Sequence, residues 1–334
     1  MKLFHSLLYP LLGGLFCLSC SDDEQDTGTK QPTTAGEVTF GVDLTGFSTR
    51  VTQDGSSWND GDKIGTYVLD MKTLEPVTEA ANVPYVCSEE GASVSFTSTT
   101  PLKVQNDGTP VKFVAYYPYN ADVRNFNYPV QLAAQERGST ACDLLYAATK
   151  EEYTYSPENE PHISLNFTHR LAKVILKFVN MEKEPLEVSD VRIEGMQTAA
   201  SFNIQTDVLT VDESSVATIN PYHNATTGFY EAIILPSALT DSYKVSFVLD
   251  DREKEWIFTN LDIALPQFHK GYSYTFALYI DDSGFVEMGR LENVEGGNSS
   301  APWEDGSSED GTAEGDKTPV SGYAFTPVSY THLT

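Results

Sequence analysis

No long window of this 334-residue chain repeats apolar residues at spacings of three and four, so helices with a core-facing stripe are not available to it. What recurs instead is short runs of Val, Ile, Phe and Tyr between clusters of Gly, Pro, Asn and Asp. A strand needs only about four to eight residues and one buried face. This texture therefore predicts an all-β chain of sandwich type. Glu37–Phe47 shows the pattern most cleanly, with Val38, Phe40, Val42 and Leu44 on one face and Thr39, Gly41, Asp43 and Thr45 on the other. Further strands are expected at Lys63–Leu69, Ser93–Thr97, Val111–Tyr117 and Asp143–Thr149, with polar loops at Asn120–Tyr128 and Glu151–Pro161. A second series starts at Ile163–Phe167 and Leu171–Asn180. It continues through Glu187–Glu194, Thr218–Asn220, Phe229–Leu235, Tyr243–Asp250, Lys254–Phe258 and Tyr272–Ile280. The expectation is two β-sandwiches in tandem, at 37–161 and 162–304. No repeat at a period of about 20 to 50 residues supports a solenoid or propeller.

The ends of the chain read differently from its middle. Lys2 followed by the apolar run Leu7–Leu18 is too short to span a bilayer and reads as a secretory signal over residues 1–19. Leu18-Ser19-Cys20 has the form of a lipoprotein cleavage site, in which the Cys20 thiol takes the lipid and becomes the mature N-terminus. Ser21-Asp22-Asp23-Glu24 and the Thr-rich residues up to Gly36 lack apolar periodicity and form a flexible acidic tether at 20–36. Residues 305–327 are an acidic, low-complexity tail. Residues 328–334, Val-Ser-Tyr-Thr-His-Leu-Thr, read as the translated adapter of a sequencing library.

Forty-eight acidic residues against 21 basic give a formal charge of −27, which repels nucleic acid and anionic membrane surfaces and keeps an exported chain soluble. Beyond Cys17 and Cys20 only Cys87 and Cys142 remain. An exported location lets them pair as a disulfide, and two buried thiols fit the sequence equally. The histidines are scattered, with no pair at metal-binding spacing, and no Gly-x-Ser-x-Gly, phosphate loop or zinc motif is present. Asn59, Asp60 and Asp62 lack the spaced ligands of a calcium loop and read as turn chemistry around Asp60-Gly61. Neither catalytic residue, metal nor cofactor is expected.

Several local patterns occur in a fixed order: the Cys20 site, the first strand ending in Ser48-Thr49-Arg50, then Trp58-Asn59-Asp60-Gly61-Asp62-Lys63-Ile64-Gly65. Phe113-Val114-Ala115-Tyr116-Tyr117-Pro118, Phe167-Thr168-His169-Arg170-Leu171-Ala172-Lys173-Val174, Gly271-Tyr272-Ser273-Tyr274-Thr275-Phe276 and Pro302-Trp303-Glu304 follow. Together they resemble the fimbrillin family of Bacteroidetes, over residues 18 to 304. The resemblance implies transthyretin-like sandwiches on a lipoprotein carried to the outer membrane surface. It also implies pilus subunits as partners, a surface receptor, and assembly by strand exchange. In polymerising members a protease cuts after an arginine that follows the first strand, here between Arg50 and Val51. The strand bearing Val38, Phe40, Val42 and Leu44 would then leave, and a neighbouring subunit would fill its place. An ordinary surface arginine is the plain reading of Arg50. A second function class is a monomeric surface lipoprotein that binds glycans through Tyr85, Tyr117, Tyr119, Tyr128, Tyr153 and Tyr155. Val320–Pro327 is a poor strand pattern for a donor segment.

Overall fold

A computed structural model describes residues 35–43, 58–78, 81–91, 93–135, 138–158, 160–180, 185–238, 243–249, 254–259, 267–280, 286–290 and 304–305. Among these, every regular element is a strand except a 3-10 turn at Ser139–Cys142. In the first half the strands are β1 (Gly36–Glu37), β2 (Thr39–Asp43), β3 (Lys63–Asp70), β4 (Val83–Cys87), β5 (Ser93–Thr97) and β6 (Lys103–Val104). They continue with β7 (Val111–Tyr117), β8 (Asn127–Gln131), β9 (Leu145–Ala148), β10 (His162–Leu165) and β11 (Thr168–His169). In the second half they are β12 (Ala172–Asn180), β13 (Val188–Gln197), β14 (Ala199–Asn203), β15 (Val208–Val211), β16 (Val216–Ile219), β17 (Tyr222–Asn224) and β18 (Phe229–Ile234). The last are β19 (Ser237–Ala238), β20 (Lys244–Leu249), β21 (Lys254–Thr259), β22 (Gln267–Phe268), β23 (Tyr272–Ile280), β24 (Val286–Arg290) and β25 (Glu304–Asp305).

The first half is organised by one eight-stranded sheet in the order β10-β2-β5-β4-β3-β7-β9-β11. β2 and β7 are four strand spacings apart, about 19 Å if the sheet were flat. Yet the rings of Phe40 on β2 and Phe113 on β7 meet edge to face at 5.8 Å. The sheet therefore curls over itself, and one face closes around Val38, Phe40, Trp58, Ile64, Val68, Tyr85, Phe96, Phe113 and Ile163, all buried. Trp58 stands edge-on to Phe96, Tyr117 and Phe167 at 5.0 to 5.5 Å. These contacts explain why the motif around it begins with the largest side chain available.

In the second half the sheet β17-β18-β12-β23-β24, with β25 beside β23, faces the sheet β16-β13-β20-β21. β12 alternates as far as Leu176, beyond which Lys177 is buried as well. Val174, Leu176 and Phe178 join the core with Val188, Ile193, Phe247 and Phe276, while Lys173 and Ile175 lie on the other face, less buried. β12 runs parallel to β23 and antiparallel to β18.

Two findings change the division drawn from sequence at Pro161. Residues 162–169 belong with the first sheet: β10 pairs with β2 and β11 with β9. β8 falls partly in a stretch read as loop and pairs with β14 of the second half along five residues. The three-stranded sheet β15-β14-β8 and a shared core of Tyr116, Val130, Leu132, Tyr146, Phe202, Ile204 and Ile233 join the two halves. Polar contacts follow the same seam. Arg170 holds Asp207 through two nitrogens and lies over the Tyr146 ring. The buried Gln135 side chain bonds both backbone groups of Ile233.

Candidate functional site

The element that resemblance marks for displacement is built into the interior of the first sheet. β2 runs parallel to β10, pairing Thr39 to Val42 with His162 to Leu165, and antiparallel to β5, pairing Phe40 to Asp43 with Phe96 to Ser93. A strand with neighbours on both sides has both rows of backbone groups satisfied. Removing it would bare two edges rather than one.

The side chains obey the alternation in the sequence. Val38, Phe40 and Val42 are almost wholly buried. Phe40 fits between Tyr85, edge to face at 4.8 Å, and Phe113. At Val38 the chain changes partners. Before it β1 pairs with β6, at Val38 its N–H donates to the carbonyl of Leu102 at 2.9 Å, and after it β2 enters the large sheet. Tyr85 fastens that crossing. Its hydroxyl donates to the Val38 carbonyl at 3.0 Å and accepts from the Leu102 amide at 2.8 Å. Burial pushes its pKa up to about 12, so it remains a donor at any physiological pH.

The outer face of the strand is read by one residue. His162 lies opposite Thr39, with Nδ1 at 3.0 Å from Thr39 Oγ1, and its ring covers Gly41. A Cβ at Gly41 would sit 2.6 Å from His162 Nε2. A Cβ at Gly36 would sit 2.4 Å from the Tyr155 ring and 2.8 Å from Pro161. Glu37 and Lys103 form a surface ion pair at 3.2 Å, worth little by itself.

The turn that follows is held from several sides. Gly61 has φ of +88°, a conformation glycine adopts without strain. Its N–H donates to the Cys87 carbonyl, and Asp62 Oδ2 accepts the Asn59 amide at 2.7 Å. The acidic residues here serve the turn. Among the described residues no group of three His, Cys, Asp or Glu side chains is arranged to hold a metal. Burial raises the Asp62 carboxyl above its usual range.

Of the residues singled out from sequence, the site brings together Val38, Phe40 and Val42. Cys20, Leu44, Arg50 and Val51 lie outside the described residues, as do the signal and the tail from 306 onward. Cys87 and Cys142 are not bridged, so the disulfide alternative gives way to two thiols. Cys87 is buried in the first core and donates to the Glu89 carbonyl, whereas Cys142 sits in the 3-10 turn beside Ala134. The six tyrosines considered for glycan binding all pack inward: Tyr85 is core, and Tyr117, Tyr119, Tyr128, Tyr153 and Tyr155 lean on one of the two cores. His169 is buried and paired with Asp143 at 2.8 Å, tying β11 to the turn before β9. Sequence reasoning missed Tyr85 as a fastener and His162 as the cover of β2. Nothing local announces either, because the residues they hold on β2 and at its start lie 47 and 123 positions away.

The profile of the fimbrillin-like family matches residues 49–303, a stretch that begins just after β2. The chain belongs to the fimbrillin-like family. No curated protein matches it. Among solved structures it is similar to a candidate cell adhesion protein from Bacteroides uniformis, at 22% identity and TM-score 0.63 over 77% of this chain and 96% of that one. A second, from Bacteroides ovatus, matches at 15% identity and TM-score 0.58, covering 78% and 97%. A third, from Bacteroides fragilis, matches at 15% and 0.50, covering 78% and 99%. At such identities the likeness speaks for the fold.

Proposed function

We propose that the chain is a non-enzymatic fimbrial subunit with a role in adhesion, exported as a lipoprotein anchored through Cys20 at the outer membrane surface. It assembles by strand exchange: a protease cuts between Arg50 and Val51, the fragment bearing β2 leaves, and an extended segment of another subunit takes its place. The released subunit passes from the membrane into the fimbrium. The observation that carries this reading is the place of β2, between β10 and β5, with Val38, Phe40 and Val42 in the core. Emptying the cleft forfeits ~1.5–3 kcal/mol for each of those side chains, and bares two rows of backbone groups. An incoming strand of like pattern is therefore strongly favoured. Family membership supports the fimbrial role, and the neighbours named as candidate adhesion proteins are consistent with it.

The test is to treat the mature, unlipidated chain with an arginine-specific protease and follow its N-terminal sequence and size. One cut after Arg50, followed by ladders that survive mild denaturant, is the expected result, with Arg50→Ala abolishing both. A chain cut at Arg50 that stays monomeric in the presence of other subunits would refute the exchange.

A further inference from the structure

We infer that the cleft occupied by β2 selects its occupant by sequence, and that the strand it takes from another subunit reads glycine, any residue, aliphatic, threonine or serine, aromatic, glycine, aliphatic. The inference rests on the strand-exchange reading above and specifies what that exchange admits.

The inner face sets three positions. At Val38 the backbone is held by Leu102 and the Tyr85 hydroxyl and the side chain is wholly buried in the first core, so the position takes an aliphatic residue. The Phe40 site is lined by the Tyr85 and Phe113 rings, both presenting themselves for edge-to-face contact. The Val42 site lies between Val94 and Leu165, its register partners on β5 and β10, and takes an aliphatic residue.

The outer face of an exchanged strand would ordinarily be free of such demands, because solvent accepts any side chain. Here it is covered. The His162 ring lies along two successive outward positions, bonding the Thr39 hydroxyl at one and standing 2.6 Å from where a Cβ would lie at the other. A hydroxyl followed two residues later by glycine satisfies both. The Tyr155 ring and Pro161 crowd the Gly36 position in the same way and favour a second glycine there. Pairing with β10 is parallel, so the incoming strand must also run in the direction of β2.

Phe40-Gly41 is the one place in the whole sequence where an aromatic residue precedes glycine. The occupant of the cleft after exchange is therefore a β2-like segment carried by a second polypeptide, not another stretch of the sequence shown.

The experiment uses the mature chain cut at Arg50, with the released fragment removed under mild denaturant and its loss verified by mass. Peptides spanning 36–43 are then tested for displacement of a fluorescent parent peptide. The parent is expected to bind. Phe40→Ala should weaken binding on the order of 1,000-fold, as emptying an aromatic site does, and Gly41→Val by about 10-fold through overpacking. Valine is the better strand former, so a loss runs against its intrinsic preference. Protein carrying His162→Ala should accept the Gly41→Val peptide to within about threefold of the parent. If both altered peptides bind like the parent, selection by sequence is wrong while exchange stands. If the parent itself does not enter the emptied chain, exchange fails and this inference falls with it.

Discussion

The Tyr85 hydroxyl donates to the Val38 carbonyl at 3.0 Å, and the same oxygen accepts the amide of Leu102, which meets Val38 directly on its other side. One phenol thus closes a small ring of hydrogen bonds at the point where the chain leaves β1 for β2. Tyr85→Phe keeps the ring edge to face with Phe40 and removes only the oxygen. The expected cost is ~1–3 kcal/mol for the buried groups left without their partner. Denaturant melts should show it, and hydrogen exchange should accelerate first at Val38 and Leu102.

Phe40→Ala tests the core half of the same strand. The residue is wholly buried between two aromatic rings, so a loss of ~3–5 kcal/mol is expected. Thr39→Ala on the outer face should cost under ~1.5 kcal/mol, since it loses one exposed hydrogen bond. Equal losses in chemical melts of the two variants would contradict the division into an inner and an outer face.

Gln135 offers a test of the seam. β17 pairs with β18 only as far as Glu231, and two residues further the Gln135 amide takes over, accepting from Ile233 N–H and donating to Ile233 C=O, both at 2.7 Å. Gln135→Ala leaves those groups buried and unpaired at ~1–3 kcal/mol each. Limited proteolysis should show cleavage between β8 and β9 appearing before the second core opens.

Gly65 closes the motif that starts at Trp58. A Cβ there would meet the Tyr116 ring at 2.3 Å, and that ring is held by bonds from its hydroxyl to Asn82 and Asn120. Gly65→Ala should destabilise by ~1–3 kcal/mol. Tyr116→Ala in the same chain should make the further cost of the alanine small, a coupling that a double-mutant cycle measures.

The pH dependence has a defined sign. Asp62 is raised by burial, so the folded chain holds that proton more tightly than the unfolded one, and its contribution is lost as pH rises from 3.8 through the folded value. Asp70, Asp107 and Asp212 are lowered by hydrogen bonds from turn amides and hydroxyls, Asp212 chiefly by the Ser214 hydroxyl. What they contribute is present above 3.8 and lost as pH falls through their folded values. Melting temperature should therefore fall at both ends of the acid range. Asp62→Asn should remove the loss on the upper side alone, which a pH series of thermal melts on both chains would show.

Strands whose buried face could be counted from alternation or a solid apolar run were legible in the sequence. Ser93–Thr97, Val111–Tyr117 and Tyr272–Ile280 run between the expected residues. β4 carries Pro84 and β8 carries Pro129, residues that argue against a strand until its neighbours are known. β8 becomes a strand because β14 lies beside it. β10 shows the same limit from another side. Its alternation was visible, but which sheet it enters depends on β2, more than a hundred residues earlier. The single expected strand from Glu37 is divided at Val38 because β6 holds one part and β5 the other. Apolar spacing tells which face is buried. It does not tell against what, and the fastening of β2 by Tyr85 and His162 is entirely of that second kind.

Because β2 lies between a parallel and an antiparallel neighbour, its two flanks respond together to force along its axis. A strand on the rim can be peeled away one bond after another, like a zip. A strand with bonds on both sides, pulled lengthwise, must break every bond in both rows at nearly the same extension, and the Tyr85 ring and Phe40 must part in the same step. Any segment seated there inherits that geometry. Tension along that strand is therefore borne as shear rather than as peeling.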